Sequence, residues 1–241
     1  IGGEPFTHPD IYSIIKMCKR SGLGVIVFTN GTLLNDNAVE FLRTCVIKML
    51  IITVYAGSDE EYRNLSANKE ENLFGSIRSG IAKVRSLEIP YMLQAFCFRN
   101  HSNTHEHLKK IFPEEKIILR GWEVMPRSPG YSENQECMIP VEDMEHEINY
   151  PVRSPNDPAI ALRPYLYEQK TLCSCPAGLA RVHVTSDFRI KPCLYMQDEG
   201  MIFSLNNYSF EEIFSEKIPI AVTQKISADS PCYNCPLRSS C

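Results

Sequence analysis

The chain has no apolar run long enough to cross a bilayer, and it has no run of basic residues. Its longest strongly apolar stretch, residues 46–54, is interrupted by Lys48 and Thr53. The net charge of −4 argues against nucleic acid as the main partner. With 44% hydrophobic and 22% charged residues, the composition is that of a globular protein with a substantial core.

The sequence has neither an initiator methionine nor a signal peptide, and it begins with what looks like the end of a strand. We therefore expect a fragment of a longer protein, for which a missing signal peptide says little about location. A cytoplasmic location is our expectation.

Short apolar runs alternate with amphipathic stretches along the first half of the chain. Strands are predicted at residues 24–28, 49–55, 91–98 and 116–125. Helices are predicted after Asp10, after Asn35, over residues 73–86 and after Asn103, where start signals precede apolar spacing. This alternation predicts an α/β fold with a parallel sheet wrapped by helices. Ligands of such folds bind at the C-terminal ends of the strands.

Six of the ten cysteines lie in the last third of the chain, as a C-x-C pair, a Pro-Cys and a C-x2-C-x5-C motif. They are Cys173, Cys175, Cys193, Cys232, Cys235 and Cys241. Disulfides or buried thiols are the alternatives, but disulfides belong mainly to small secreted domains. A close C-x2-C pair is typical of a metal or iron–sulfur site, because both thiolates reach one centre. The spacing therefore favours metal or cluster ligation.

The regular pattern is lost over residues 131–172, where five prolines occur, and we interpret this segment as a linker. Residues 181–191 predict a β-hairpin with Phe188 in its turn. Ser209 and Glu212 form a capping-box pattern that opens a short helix.

Two sets of residues resemble motifs of radical S-adenosylmethionine (radical SAM) enzymes. The first is Gly2, Gly3, Glu4 and Pro5, followed after a helix and a strand by Thr29, Asn30 and Gly31. The second is Cys175, Phe188 and Cys193, with Cys232, Cys235 and Cys241, which resembles the SPASM module of peptide and protein maturases. The resemblance implies a partial (β/α) barrel over residues 1–130, without its first strand and helix. It also implies a truncated auxiliary-cluster module over residues 173–241.

The resemblance also implies roles for individual residues. Gly2, Gly3, Glu4 and Pro5 would hold the methionyl end of SAM. Thr29 and Asn30 would lie near its ribose or carboxylate, with capping of the next helix as the alternative. Thr53 would offer a hydroxyl, or serve only as a β-branched strand residue. The remaining implied contacts are Gln94 inside the barrel, Met125 and Pro126 near adenine, and the six C-terminal cysteines as cluster ligands.

The chain departs from this family in three respects. The family holds its radical-generating [4Fe–4S] cluster with a C-x3-C-x2-C loop, which is not in this sequence and which we expect before Ile1. Six candidate cysteines are fewer than the eight that two auxiliary [4Fe–4S] clusters use, so one or two such clusters are expected. Phe188 stands where the family has glycine, and Asp187 is our candidate for supplying the turn.

The resemblance implies a radical SAM oxidoreductase or maturase that abstracts hydrogen from a peptide or protein side chain. Its cofactors would be SAM and [4Fe–4S] clusters, and its electron donor a protein such as flavodoxin or ferredoxin. A sugar or cofactor precursor is an alternative substrate. A zinc-binding or inactive relative that serves as a binding module is the alternative of a different class.

Two groups of polar residues carry no chemistry in this interpretation. His101, His105 and His107 are expected to be solvated. The acidic run of Asp59, Glu60 and Glu61 is interpreted as a solvated turn.

Overall fold

The computed structural model describes residues 3–65, 72–96, 104–120, 169–171, 177–179, 181–194, 196–230 and 233–234. The chain divides into two compact units, Ile1–Pro151 and Val152–Cys241. Most of the predicted linker lies outside the described residues, so its bounds stay a prediction. In the described part of the chain, no helix has the length and hydropathy that a membrane span requires.

Four strands of the first unit form a parallel sheet, which confirms the predicted α/β fold. They are hydrogen-bonded in chain order: β1 (Ile26–Thr29), β2 (Met49–Val54), β3 (Tyr91–Phe96) and β4 (Ile117–Arg120). Each corresponds to a predicted apolar run, although residues 121–125 of the last one lie outside the described residues. Because the strands are parallel, their carboxyl ends lie along one edge of the sheet.

The described residues of this unit also form five α-helices: α1 (Ile11–Arg20), α2 (Asp36–Cys45), α3 (Asp59–Leu65), α4 (Leu73–Ser86) and α5 (Thr104–Ile111). The Asn35 side chain accepts a hydrogen bond from the Ala38 amide at 3.0 Å, which confirms the predicted cap of α2. The prediction of a turn at the acidic run is wrong, because these residues begin α3. Tyr62 on this helix is buried and packs on Phe74 of α4, which stabilises α3 against the core.

The helices cover one face of the sheet. Leu50, Ile52 and Val54 of β2 point to that face and are at most 1% exposed. Side chains alternate along a strand, so Thr53 lies on the opposite face, beside its register partner Gln94. The sheet therefore has an apolar, helix-covered face and a second face on which polar side chains lie.

The turn after β1 depends on two close approaches of the backbone. Gly31 has a φ of 79°, and a Cβ atom there would lie 3.0 Å from Ile52 Cγ2. A Cβ atom on Gly80 of α4 would lie 2.7 Å from Leu34 Cβ. Only glycine meets both the left-handed conformation and the contact distance at position 31. The turn is thereby packed tightly between β2 and α4.

The second unit contains a small antiparallel sheet of β5 (His183–Val184), β6 (Arg189–Lys191) and β7 (Phe203–Ser204). This arrangement confirms the hairpin predicted over residues 181–191. A helical segment follows, composed of α6 (Phe210–Glu212), a π-turn (Ile213–Lys217) and α7 (Ile218–Val222). Ser209 and Glu212 form the predicted capping box at its start.

The helical segment is longer than the sequence predicts. Ile213, Ile218 and Val222 are at most 2% exposed and pack with Ile190 of β6 in one apolar cluster. Pro219 is the second residue of α7 and comes directly after the π-turn, within a continuous helical segment. Burial of one apolar face therefore extends the helix past a proline.

Phe188 itself takes the left-handed conformation in the hairpin turn, with a φ of 59°. Asp187, the candidate for supplying the turn, lies in it and accepts a hydrogen bond from Arg189 Nε at 2.7 Å, but the positive φ belongs to Phe188. The hydroxyl of Thr185 accepts a further bond from the Arg189 amide at 3.0 Å. These side-chain bonds compensate for the cost of a left-handed non-glycine residue.

Candidate functional site

The carboxylate of Glu4 ties the N-terminal turn to the carboxyl end of β1. Its two oxygens lie 2.8 Å from the hydroxyl of Thr29, which is 3% exposed. They also accept hydrogen bonds from the Asn30 amide at 2.7 Å and the Phe6 amide at 3.2 Å. The glycine turn and the Thr-Asn-Gly turn, separate in sequence, are therefore one structural site.

The side chain of Asn30 shapes this turn. Its Oδ1 accepts bonds from the Thr32 amide at 3.0 Å and the Thr32 hydroxyl at 2.7 Å. The Gly31 amide donates to the Thr29 hydroxyl at 3.0 Å. Thr29 and Asn30 thus hold Glu4 and their own turn, and any contact of theirs with a ligand stays a prediction.

Glu4 is a half-buried anion without a cationic partner. Within the ranges that the structure describes, no lysine, arginine or histidine side chain lies within salt-bridge distance of its carboxylate. Three hydrogen-bond donors stabilise the charge without neutralising it. A ligand with a positively charged group would complement this carboxylate.

Thr53 and Gln94 form a buried polar pair on the sheet face opposite the helices. Gln94 Nε2 donates to Thr53 Oγ1 at 2.7 Å, and the two residues are 8% and 6% exposed. They are register partners on β2 and β3, near the carboxyl ends of both strands. Both are residues that the family resemblance implies, and the structure brings them together.

Two aromatic residues follow this pair toward the sheet edge. Tyr55 stacks on Phe96 with ring centroids 5.7 Å apart. Burial, and then the negative charge of Glu4, raise the pKa of the Tyr55 hydroxyl. The Glu4 carboxylate and the aromatic pair therefore belong to the same edge of the sheet.

The loop after β2 is fixed by Tyr62. Its hydroxyl oxygen accepts a hydrogen bond from the Tyr55 amide at 3.0 Å. Burial raises the pKa of Tyr62 to about 12, so it is protonated at neutral pH. This hydroxyl is a structural contact that sequence reasoning did not find.

A further set of residues at this edge was not predicted. Glu61 Oε2 accepts a bond from the Gly57 amide at 2.6 Å, and its Oε1 lies 3.1 Å from His107 Nδ1. A Cβ atom on Gly57 would lie 2.6 Å from the same ring nitrogen. Asp59 accepts from the Phe74 amide at 2.7 Å. The expectation of mere solvation is therefore wrong for Asp59, Glu61 and His107, whereas Glu60 is exposed as expected.

One of the six candidate cluster ligands, Cys193, lies within the described residues. It is half-buried, follows β6 and forms no disulfide. In the parts of the chain covered by the structure, no three ligand-type side chains converge on a metal position.

The other predicted site residues lie outside the described residues: Gly2, Met125, Pro126, Cys173, Cys175, Cys232, Cys235 and Cys241. Gly3 and Pro5 flank Glu4 at the N-terminal turn.

Comparison with known proteins identifies homologues of one kind. The AdoMet-dependent heme synthase of Methanosarcina barkeri is 32% identical over 92 residues, 38% of this chain and 26% of that protein. The GTP 3',8-cyclase of Clostridium botulinum is 23% identical over 219 residues, 86% of this chain and 67% of that protein. The antilisterial bacteriocin subtilosin biosynthesis protein AlbA of Bacillus subtilis is 22% identical over the whole chain, which spans 54% of that protein. These homologues are radical SAM enzymes.

Solved structures agree with the fold. SuiB of Streptococcus suis bound to S-adenosylmethionine matches all of this chain with a TM-score of 0.65 at 12% identity, over 59% of its own length. Native anSMEcpe with bound AdoMet matches 99% of the chain with a TM-score of 0.56 at 14% identity, over 72% of its own length. No family model matches the chain. The fold is that of radical SAM enzymes, and the homology supports an enzyme.

Proposed function

We propose that this chain belongs to a radical SAM oxidoreductase or maturase that acts on a peptide or protein side chain. The match to AlbA over the whole chain supports a peptide substrate, because AlbA functions in bacteriocin biosynthesis. The structure of anSMEcpe with a bound peptide has the same fold over 99% of the chain. An electron donor such as flavodoxin or ferredoxin is part of this proposal.

The carboxylate of Glu4, which has no cationic partner among the residues described, carries the proposal for the cofactor site. SAM has an ammonium group on its methionyl end and a sulfonium centre, and both are cations. A half-buried anion fixed by Thr29 and the Asn30 amide fits the ammonium group. Gly3 fits a backbone contact in the same SAM site. A Cβ atom at this position would meet nothing within 4 Å, which leaves the backbone open to a ligand.

The other residues of this edge would orient the cofactor and keep water away. Thr53 and Gln94 offer fixed polar atoms on the sheet face opposite the helices. Tyr55 and Phe96 offer an apolar surface beside them. When bound, SAM and a reduced [4Fe–4S] cluster supply a carbon radical that removes a hydrogen atom from the substrate. The protein residues position the reactants and exclude water.

The second unit is proposed to hold one or two auxiliary [4Fe–4S] clusters through its six cysteines. Cys193 fits such a ligand, because its thiol is free and half-buried at the end of a strand. Thiolates are the usual ligands of iron–sulfur clusters. Anaerobic purification of the full-length protein should give brown material with iron and sulfide, whereas colourless protein with stoichiometric zinc would favour a binding module.

Substitution of Gly3 tests the SAM site directly. Gly3→Ala should leave the fold intact, since the added methyl group meets no atom within 4 Å. It should weaken SAM binding about tenfold, roughly 1.4 kcal/mol, because the ligand approaches that backbone. Gly24→Ala is the matched control, because its Cβ atom would meet only Lys48 Cδ at 3.4 Å before β1 begins. Equal SAM affinity of both variants, measured by calorimetry, would refute the site.

A cofactor precursor is the second candidate substrate. The homologues from M. barkeri and C. botulinum are named for chemistry on heme and GTP. Cleavage of SAM stimulated by a nucleotide or tetrapyrrole, but not by peptides, would favour this alternative.

A further inference from the structure

Lys191 is a buried cation that closes the loop around Cys193. The residue is 6% exposed, and its Nζ donates to the carbonyl oxygens of Leu194 at 2.8 Å and Met196 at 3.0 Å. The Met196 amide in turn donates to the Cys193 carbonyl at 3.1 Å. These three bonds fix the turn in which Cys193 lies.

The charge of Lys191 has no carboxylate partner among the residues that the structure covers. The two hydrogen bonds to carbonyl oxygens use two N–H donors of the ammonium group. They leave its positive charge uncompensated. Burying a charge without an opposite charge nearby is costly. An anionic group beside the Cys193 loop would supply this compensation, and an iron–sulfur cluster ligated by thiolates is such an anion.

A second lysine contacts the backbone beside the C-terminal C-x2-C motif. Lys170 Nζ donates to the Tyr233 carbonyl at 2.7 Å and lies 4.5 Å from the centre of the Tyr233 ring. In the sequence, Tyr233 stands between Cys232 and Cys235. Two lysines of one unit therefore bind the backbone of two loops that carry candidate ligands.

We propose that Lys191 and Lys170 are positioning residues of an auxiliary iron–sulfur site in the second unit. This inference rests on the proposed function of the C-terminal cysteines. Each lysine fixes a ligand-bearing loop by its carbonyl oxygens and adds a positive charge near the cluster. The loop contact preserves the ligand geometry, and the charge favours the reduced state of the cluster.

The test compares variants of the reconstituted full-length protein. Lys191→Met should speed the loss of iron to a chelator about tenfold, the effect typical of an outer-shell contact. It should also shift the reduction potential of the cluster to a more negative value. Lys191→Arg, which keeps the charge, should restore the potential. Lys170→Met, at a less buried position, tests the same two quantities with less risk to folding.

Lys217 provides the matched control. Its Nζ lies 4.7 Å from the centre of the Tyr208 ring, a contact of the same kind as that of Lys170 with Tyr233, but neither Lys217 nor Tyr208 is beside a candidate cysteine in the sequence. Lys217→Met should change neither iron loss nor potential. Unchanged values in both Lys191→Met and Lys170→Met, with iron lost in Cys193→Ala, would overturn the positioning roles alone. Unchanged iron in Cys193→Ala would instead overturn the proposed cluster site.

Discussion

The hydroxyl of Thr29 lies 2.8 Å from each carboxylate oxygen of Glu4, across 25 residues of sequence. This contact joins the first turn of the chain to the carboxyl end of β1. Together with the Asn30 amide, this buried hydroxyl orients an anion at the sheet edge.

Removal of this hydroxyl should affect both stability and cofactor binding. Thr29→Val keeps the side-chain shape but deprives Glu4 and the Gly31 amide of a partner. We expect a loss of about 2 kcal/mol in the free energy of unfolding, and weaker SAM binding. Thr29→Ser, which keeps the hydroxyl, is the control. Urea titration and calorimetry provide the two measurements, and identical values for Thr29→Val and Thr29→Ser would contradict the prediction.

The Thr53–Gln94 pair should behave as one energetic unit. Thr53→Val leaves a buried amide without its acceptor and should cost about 2 kcal/mol. The double variant with Gln94→Leu removes both polar groups, so its cost should be less than the sum of the two single costs. A double-mutant cycle from urea unfolding should give a coupling of about 1 kcal/mol. Additive costs would show that the hydrogen bond carries no stability.

Stability should fall at alkaline pH because of Tyr62. Its pKa is raised to about 12 in the folded state, whereas an unfolded tyrosine has a pKa of about 10. Between these values the unfolded chain loses the proton first, so unfolding becomes more favourable by up to about 1.4 kcal/mol per pH unit. Below pH 10 the contribution is complete, since both states are protonated. Tyr62→Phe should reduce this slope when unfolding is followed from pH 9 to pH 12, and an unchanged slope would rule out Tyr62 as its source.

The conformation of Phe188 can be tested by comparing two truncations that lose the same buried part of the ring. The side chain is 66% exposed and the backbone has a φ of 59°. Phe188→Gly removes the steric cost of the left-handed conformation, whereas Phe188→Ala keeps it. We expect the glycine variant to be more stable than the alanine variant by about 1 kcal/mol in denaturant unfolding of the second unit. A more stable alanine variant would show that the turn carries no such strain.

The fold was largely predictable because its signals are local. Each strand of the parallel sheet corresponds to a short apolar run, and Asn35 and Ser209 cap the helices that their patterns predict. The error at α3 has a different origin. Its helix depends on burial of Tyr62 against Phe74, a contact that residue order alone does not reveal.

The sequence indicates which residues form the candidate site, but it does not indicate which of them contact each other. Glu4, Thr29, Thr53 and Gln94 were selected from motif and position, yet their pairing depends on strand register and on the packing of the first turn. Glu61 and His107 were missed because 46 residues separate them, and no spacing rule joins them.

Apolar periodicity, capping residues and cysteine spacing were enough to define an α/β chain with a thiol-rich end, because these features act between neighbours in the sequence. Only the tertiary structure determines which charged side chains lack an opposite charge. Lys191 is buried without a carboxylate, and Glu4 is held by hydroxyl and amide groups without a cation, among the residues described. The physical reason is that burial and charge compensation depend on atoms brought together from distant parts of the chain.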